Sequence, residues 1–166
     1  MALIAIVDEN DAVVGSVERE ERAPEQIYRV SALWLTNSKG EILMAQRALT
    51  KKHDPGVWGP AVAGTVEAHE TYKSNIVKEI QEEIGLVVEE GELSDGPRVR
   101  IHKPQGGYFA QYFLLTKDIL VEDFVLEKDG VAQVKWFSKD ELRDMLANHP
   151  EQLTPAAGQW MPQFLN

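Results

Sequence analysis

Three carboxylates within five residues, Glu79, Glu82 and Glu83, are the part of this chain best suited to chemistry. A helix turns by about 100° per residue, so positions i, i+3 and i+4 share a face, and these three side chains project from one side of two turns. Tyr72, Ile76, Ile80 and Ile84 recur every four residues and form an apolar stripe beside them. The helix therefore has one side to bury and one side to bind with. Like charges at this spacing repel by about a few tenths of a kcal/mol per pair, so the cluster implies a cation between them. Oxygen donors without thiols or grouped imidazoles suit a hard divalent ion, Mg2+ first and Mn2+ second, which keeps waters and leans on substrate phosphates.

The residues around the cluster fall into a longer frame. From Gly64, five residues lead to Glu70 and seven more lead to Lys78; then come Glu79, Ile80, Gln81, Glu82, Glu83, Ile84, Gly85 and Leu86. This resembles the Nudix box, Gly-x5-Glu-x7-Arg-Glu-U-x-Glu-Glu-x-Gly-U with U aliphatic, and departs from it once, where Lys78 stands for the arginine. The resemblance implies an α/β protein, an α/β/α sandwich with a mixed sheet between helices. It also implies a metal-dependent hydrolase that cleaves a phosphoanhydride bond in a nucleoside diphosphate or related diphosphate by water attack on phosphorus. In that family Glu79, Glu82 and Glu83 would supply metal oxygens and Gly64 a backbone ligand, with one glutamate, Glu82 or Glu79, orienting or deprotonating the water. The box arginine holds a glutamate through a planar fork; Lys78 keeps the charge without the fork, so its pairing, with Glu70, is expected to be looser and the rate or metal preference altered.

Just before the box, residues 45–58 form a basic loop in an acidic protein. Arg47 and Lys51 are placed to converge on a diphosphate, the first as a bidentate donor and the second as a point charge. The order Gln46-Arg47, Lys51, Pro55-Gly56 is similar to the Nudix branch related to isopentenyl-diphosphate isomerase, as is the tail Leu153-Thr154-Pro155 with Trp160 and Phe164 beyond it. Isomerases of that branch use a cysteine and a glutamate as proton donor and acceptor. Where their Cys-Gly-His run stands, this chain has Ala63-Gly64-Thr65, and Tyr28 replaces their inner-strand histidine, so isomerisation is not expected. A non-catalytic module that binds or senses a nucleotide is the alternative. Further acidic ligands are open between Glu67 and the stretch 122–129, because the last strand opens with Gly130 where relatives commonly carry a glutamate.

Strands are expected at Leu3–Val7, Ala12–Val17, Ile27–Thr36, Glu41–Arg47, Arg98–His102, Tyr108–Thr116 and Val131–Phe137, from apolar runs bounded by turn residues. Asn37-Ser38-Lys39-Gly40 marks the clearest hairpin. The box helix is capped by Thr71 or Glu70 and stopped by Gly85. Ser138 caps a helix over Lys139–Ala147, with Glu141 in the capping-box position, and Pro155 opens a last helical segment to Leu165. A single Nudix domain over residues 1–166 is expected, with an N-terminal hairpin and link at 1–25, the box at 64–86 and C-terminal helices at 138–166. His53, His69, His102 and His149 read as surface residues, and Trp58, Tyr108 and Phe109 as core, with stacking on a base as their alternative role.

A net charge of −10 argues against a nucleic-acid duplex or an anionic membrane as partner and leaves a small diphosphate substrate to be drawn in by metal and a few basic groups. The absence of cysteine removes disulfides, thiolate metal sites and thiol nucleophiles together. Ala2–Val7 is too short for a signal peptide or span, so a cytoplasmic monomer or homodimer is expected.

Overall fold

The computed structural model describes residues 2–166, and the sheet is organised around its longest strands. β1 (Leu3–Val7) and β2 (Val13–Glu18) form the N-terminal hairpin; β3 (Ile27–Thr36) follows after a short link, then β4 (Ile42–Arg47). Two short strands, β5 (Trp58–Pro60) and β6 (Val62–Thr65), lead into α1 (Tyr72–Ile84). β7 (Ser94–His102), β8 (Gly107–Thr116) and β9 (Val131–Phe137) complete the sheet, and α2 (Lys139–Asn148), α3 (Ala157–Trp160) and α4 (Pro162–Leu165) end the chain.

β3 lies at the centre because both of its edges are used. One edge runs parallel to β8 from Ile27↔Gly107 to Thr36↔Thr116. The other is shared in sequence by β1, β6 and β4, all antiparallel, with β4 touching it only at Thr36↔Ile42. Past that point β3 and β4 diverge: β4 pairs instead with β5 and β9, and β6 keeps an unpaired edge toward the gap. The mixed sheet thus splits into two leaves joined at one end.

Alternation along β3 and β8 sends side chains to opposite layers. Leu33, Leu35, Phe109 and Phe113 pack with Tyr72, Ile76, Ile80 and Ile84 of α1 on one face. Ala32, Trp34, Ala110 and Tyr112 pack with Leu142 and Met145 of α2 and Trp160 and Leu165 of the tail on the other. The helix–sheet–helix layering is the expected sandwich. Among the described residues, no helix is long and apolar enough to cross a membrane.

Local signals hold where a side chain closes a specific bond. Thr71, not Glu70, caps α1 by accepting from the Ser74 amide, and Gly85 ends it in the left-handed region at φ 71°. Ser138 and Glu141 form the capping box of α2. Asn37 closes the β3–β4 turn by accepting from the Lys39 and Glu41 amides. Three departures from the expected elements exceed a single residue. β7 starts at Ser94 rather than Arg98, because a bulge at Gly96-Pro97 breaks its alternation. β5 and β6 lie within stretches that read as loop, being too short for a period to show. The last segment is two short helices broken at Pro162, which has no amide hydrogen to continue the first.

Candidate active site

The acidic side of α1 faces the gap between the two leaves. Glu79 and Glu83, one turn apart, lie close enough for each carboxyl group to perturb the other. On the unpaired edge of β6 the Ala63 amide donates to Glu83 Oε1 at 3.4 Å. Gly64 follows, and a Cβ there would collide with the Glu79 carboxyl group, 2.5 Å from the nearest of its atoms. Glycine is needed at this position because the α1 carboxylate packs directly on the strand backbone.

Burial disfavours the ionised form of both acids and raises their pKa values above the carboxylate range. For Glu83 the neighbouring Glu79 carboxyl group acts in the same direction. The pair therefore retains a proton where isolated glutamates have lost it. Two half-buried carboxyl groups close together beside a bare backbone form a donor set that fits a hard divalent cation, since such an ion supplies the positive charge that the proton now supplies. Glu82 is exposed on the same helix; its charge is felt by Glu79.

Lys78 stands at the N-terminal side of the pair. Its ammonium lies 2.9 Å from Glu70 Oε2, 3.1 Å from Glu67 Oε2 and 3.8 Å from Glu79 Oε1. Burial works against its charge, but the hydrogen bonds to Glu70 and Glu67 outweigh it and raise its pKa. Glu70 shows the converse: burial raises its pKa, while bonds from Lys78, the Glu67 amide and Asn75 bring it below the usual range. Glu67, His69 and Glu70 also bring donor atoms within 4.8 Å of one another. Lys78 already bridges both acids of that group with its single charge, and His69 is exposed, so they form an ion-pair knot.

Beneath the knot lies a polar thread that the sequence reading missed. Asn75 is fully buried; its amide nitrogen donates to Glu70 Oε1 at 3.0 Å and to the Thr65 carbonyl at 3.1 Å, and its oxygen accepts from the buried Ser31 hydroxyl. A polar residue inside an apolar helix stripe was the signal available.

The gap opens into a cavity of about 580 Å3. Glu83 and Gly64 line it, together with Arg47 and Lys51 from the basic loop, so the four groups converge on one space. Arg47 is partly committed: its Nε and Nη2 donate to the His53 carbonyl at 3.1 and 2.9 Å and shape the loop. Glu127 lines the same wall, and its carboxylate fills the space that a Cβ on Gly130 would take. Its main chain is tied to the box helix by the Glu127 amide donating to the Glu83 carbonyl at 2.9 Å. Of the stretch 122–129, this is the residue brought to the cavity. Tyr108, expected in the core, lines the cavity with Tyr28. The four histidines are exposed, as the sequence implied.

The chain matches the NUDIX domain family over residues 25–164. It is 28% identical over 163 residues to an uncharacterised Nudix hydrolase of Listeria monocytogenes, covering 96% of this chain and 88% of that protein. It is 33% identical over 86 residues to the isopentenyl-diphosphate delta-isomerase of Streptomyces griseus, covering 51% of this chain and 44% of that enzyme. Among solved structures, a Deinococcus radiodurans protein shares the fold with a TM-score of 0.76 at 22% identity, each chain covered to 98%. With the complete acidic helix beside the leaf gap and a family match spanning most of its length, the chain belongs to the Nudix family and is a Nudix hydrolase.

Proposed function

We propose that the protein is a Mg2+-dependent hydrolase of nucleoside diphosphates or closely related diphosphates, with Mn2+ as a substitute. The observation that carries this reading is the Glu79–Glu83 carboxyl pair packed on Gly64, with Glu83 and Gly64 lining a cavity that Arg47 and Lys51 also line. In this reading Glu79, Glu82, Glu83 and the Gly64 carbonyl hold the cation. When bound, it lowers the pKa of water and neutralises charge on the phosphoanhydride oxygens.

The remaining work falls to the chain. Arg47 retains the Nη1 group that the His53 carbonyl leaves unused, and Lys51 offers a point charge; together they orient the diphosphate. Lys78 holds the Glu70 and Glu67 carboxylates in place and limits the conformations open to Glu79. The water oxygen forms a bond to phosphorus as the anhydride P–O bond breaks. Its proton passes to a box carboxylate, Glu79 or Glu82, and the departing phosphate oxygen keeps the bond's electron pair.

Isomerisation of a prenyl diphosphate is disfavoured by the cavity wall itself. Ala63, Thr65 and Tyr28 line it where a protonating thiol and imidazoles would be required. The test is a screen of nucleoside diphosphates, nucleotide sugars and prenyl diphosphates with Mg2+ or Mn2+, beside calorimetry of metal binding. Turnover with metal bound to wild type but not to Glu83→Gln is expected. Metal binding without turnover of any phosphoanhydride would leave a nucleotide-binding module instead.

A further inference from the structure

Fixing the plane of a carboxylate takes a donor at each oxygen, which an arginine fork supplies from a single side chain. At Glu70 two residues divide that work. Lys78 Nζ meets Oε2 at 2.9 Å, and Asn75 Nδ2 meets Oε1 at 3.0 Å. The ammonium is a point charge on a flexible stem, and Glu70 shares it with Glu67 and Glu79. Alone it sets the distance to the carboxylate and leaves the plane free to turn about that contact. The Glu67 amide also reaches Oε1, at 2.9 Å, but it belongs to the same loop as Glu70 and moves with it. Asn75 belongs to α1 and stops the rotation from a fixed frame.

Asn75 is itself held at every polar atom. Its second N–H donates to the Thr65 carbonyl at 3.1 Å, and because that oxygen can only accept, the amide nitrogen is the atom that faces Glu70. Its oxygen accepts from the Ser31 hydroxyl, and Ser31 lies directly opposite Gly64 in the β3–β6 ladder. Glu70 is thus tied from inside the protein to the strand pair that carries Gly64, and by the 35% exposed Lys78 to Glu79 from the solvent side. Where Glu70 points matters to the carboxyl pair, since its charge acts on Glu79.

We infer that Asn75 and Lys78 together do the work of one arginine: Asn75 is a positioning residue for hydrolysis, supplying at Glu70 Oε1 the second arm that a lysine at position 78 lacks. An arginine at that position meets both oxygens from its planar fork and makes the contact from Asn75 to Glu70 redundant. The kinetic consequence rests on the diphosphate hydrolase reading; the structural consequence does not.

The experiment is a double-mutant cycle of Asn75→Ala and Lys78→Arg, read by kcat at saturating Mg2+, by melting temperature and by hydrogen exchange of the Glu67 amide in metal-free protein. With Lys78 present, Asn75→Ala is expected to lower kcat about 10- to 100-fold, the range for partners that orient ligands, with KM little changed. In the Lys78→Arg background the same substitution is expected to lower kcat by less than about threefold, a plain departure from additivity. The melting temperature is expected to fall alike in both backgrounds, because the Ser31 hydroxyl and the Thr65 carbonyl stay without their partner, so a purely structural role for Asn75 shows no rescue. Exchange of the Glu67 amide, measured against the amides of β3, is expected to quicken about tenfold in Asn75→Ala and to be restored in the double variant. Ser31→Ala frees the Asn75 amide without emptying its site; it takes the place of Asn75→Ala should that variant fail to fold, with a smaller fall in kcat and the same rescue. Equal falls in both backgrounds, or no fall with Lys78 present, overturn the proposal and leave the hydrolase reading standing. Absence of all diphosphate turnover overturns the hydrolase reading instead; the exchange measurement then decides, and a Glu67 amide that Asn75→Ala leaves unchanged, or that Lys78→Arg does not restore, overturns the proposal.

Discussion

Lys78 Nζ stands 2.9 Å from Glu70 Oε2, and in doing so joins the first glutamate of the Nudix box to the helix that carries the other three. A point charge performs this joining where most of the family uses a planar fork. Lys78 offers three donors and spends them on Glu67, Glu70 and the neighbourhood of Glu79. Replacing Lys78 with methionine is expected to lower kcat about 10- to 100-fold, the range for partners that orient ligands. Lys78→Arg is expected to retain activity, since a guanidinium reaches both Glu67 and Glu70. Steady-state kinetics at saturating Mg2+ checks both.

Glu83→Gln separates stability from function. The half-buried carboxyl pair holds a proton against the ordinary tendency of glutamate, so a neutral amide costs the metal-free fold little. The metal-free melting temperature is expected to stay level or rise. Mg2+ is expected to raise the wild-type melting temperature and to leave that of Glu83→Gln unchanged, because a ligand that no longer binds no longer stabilises. Thermal scans with and without Mg2+ read both quantities.

Asn75→Ala removes the partner of three groups at once. The Ser31 hydroxyl loses a buried hydrogen bond, and the Thr65 carbonyl and Glu70 Oε1 each lose a part-buried one. Leaving such groups unpaired is expected to cost about 2 to 3 kcal/mol in urea denaturation. Activity should fall further than folding alone explains, since Glu70 loses its support.

Asp11 secures the far side of the box helix. Its carboxylate pairs with Arg29 at 2.7 Å and Arg98 at 2.9 Å and accepts from the Tyr72 hydroxyl. Asp11→Asn keeps a residue that tolerates the observed φ of 60° and removes only charge. The expected loss is about 3 kcal/mol, the low end for breaking a buried pair because the Arg98 side chain is 49% exposed. Denaturant midpoints measure it, with Mg2+ affinity unchanged.

Glu127→Gln addresses the acid that stands beside Gly130. Its carboxylate shares the cavity wall with Glu83. The expected outcome is Mn2+ affinity lowered about tenfold by calorimetry, as for an outer partner of a metal site. Glu122→Gln, on the exposed stretch outside the cavity, serves as the control.

The box was legible because its chemistry demands fixed residue types at fixed spacing: Gly64 to seat a carboxylate on the backbone, Gly85 to end the helix, glutamates on one face. Long strands and caps were legible for similar reasons, as at Ser138 with Glu141. The thread from Ser31 through Asn75 was not, because a contact across 44 positions leaves no local pattern. Nor was the place of Tyr108 at the cavity wall visible: alternation on β8 puts apolar and aromatic groups on both faces, and only the packed molecule shows which face opens into the cavity. Glu127 lay hidden within an acidic run, singled out only by the room that Gly130 leaves.

The divergence of β3 from β4 leaves the two leaves touching only at Thr36 and Ile42. The cavity between them is thus walled by strands that are not hydrogen-bonded to each other, so the leaf that carries Arg47 can shift against the leaf that carries Gly64 without breaking a strand pair between them.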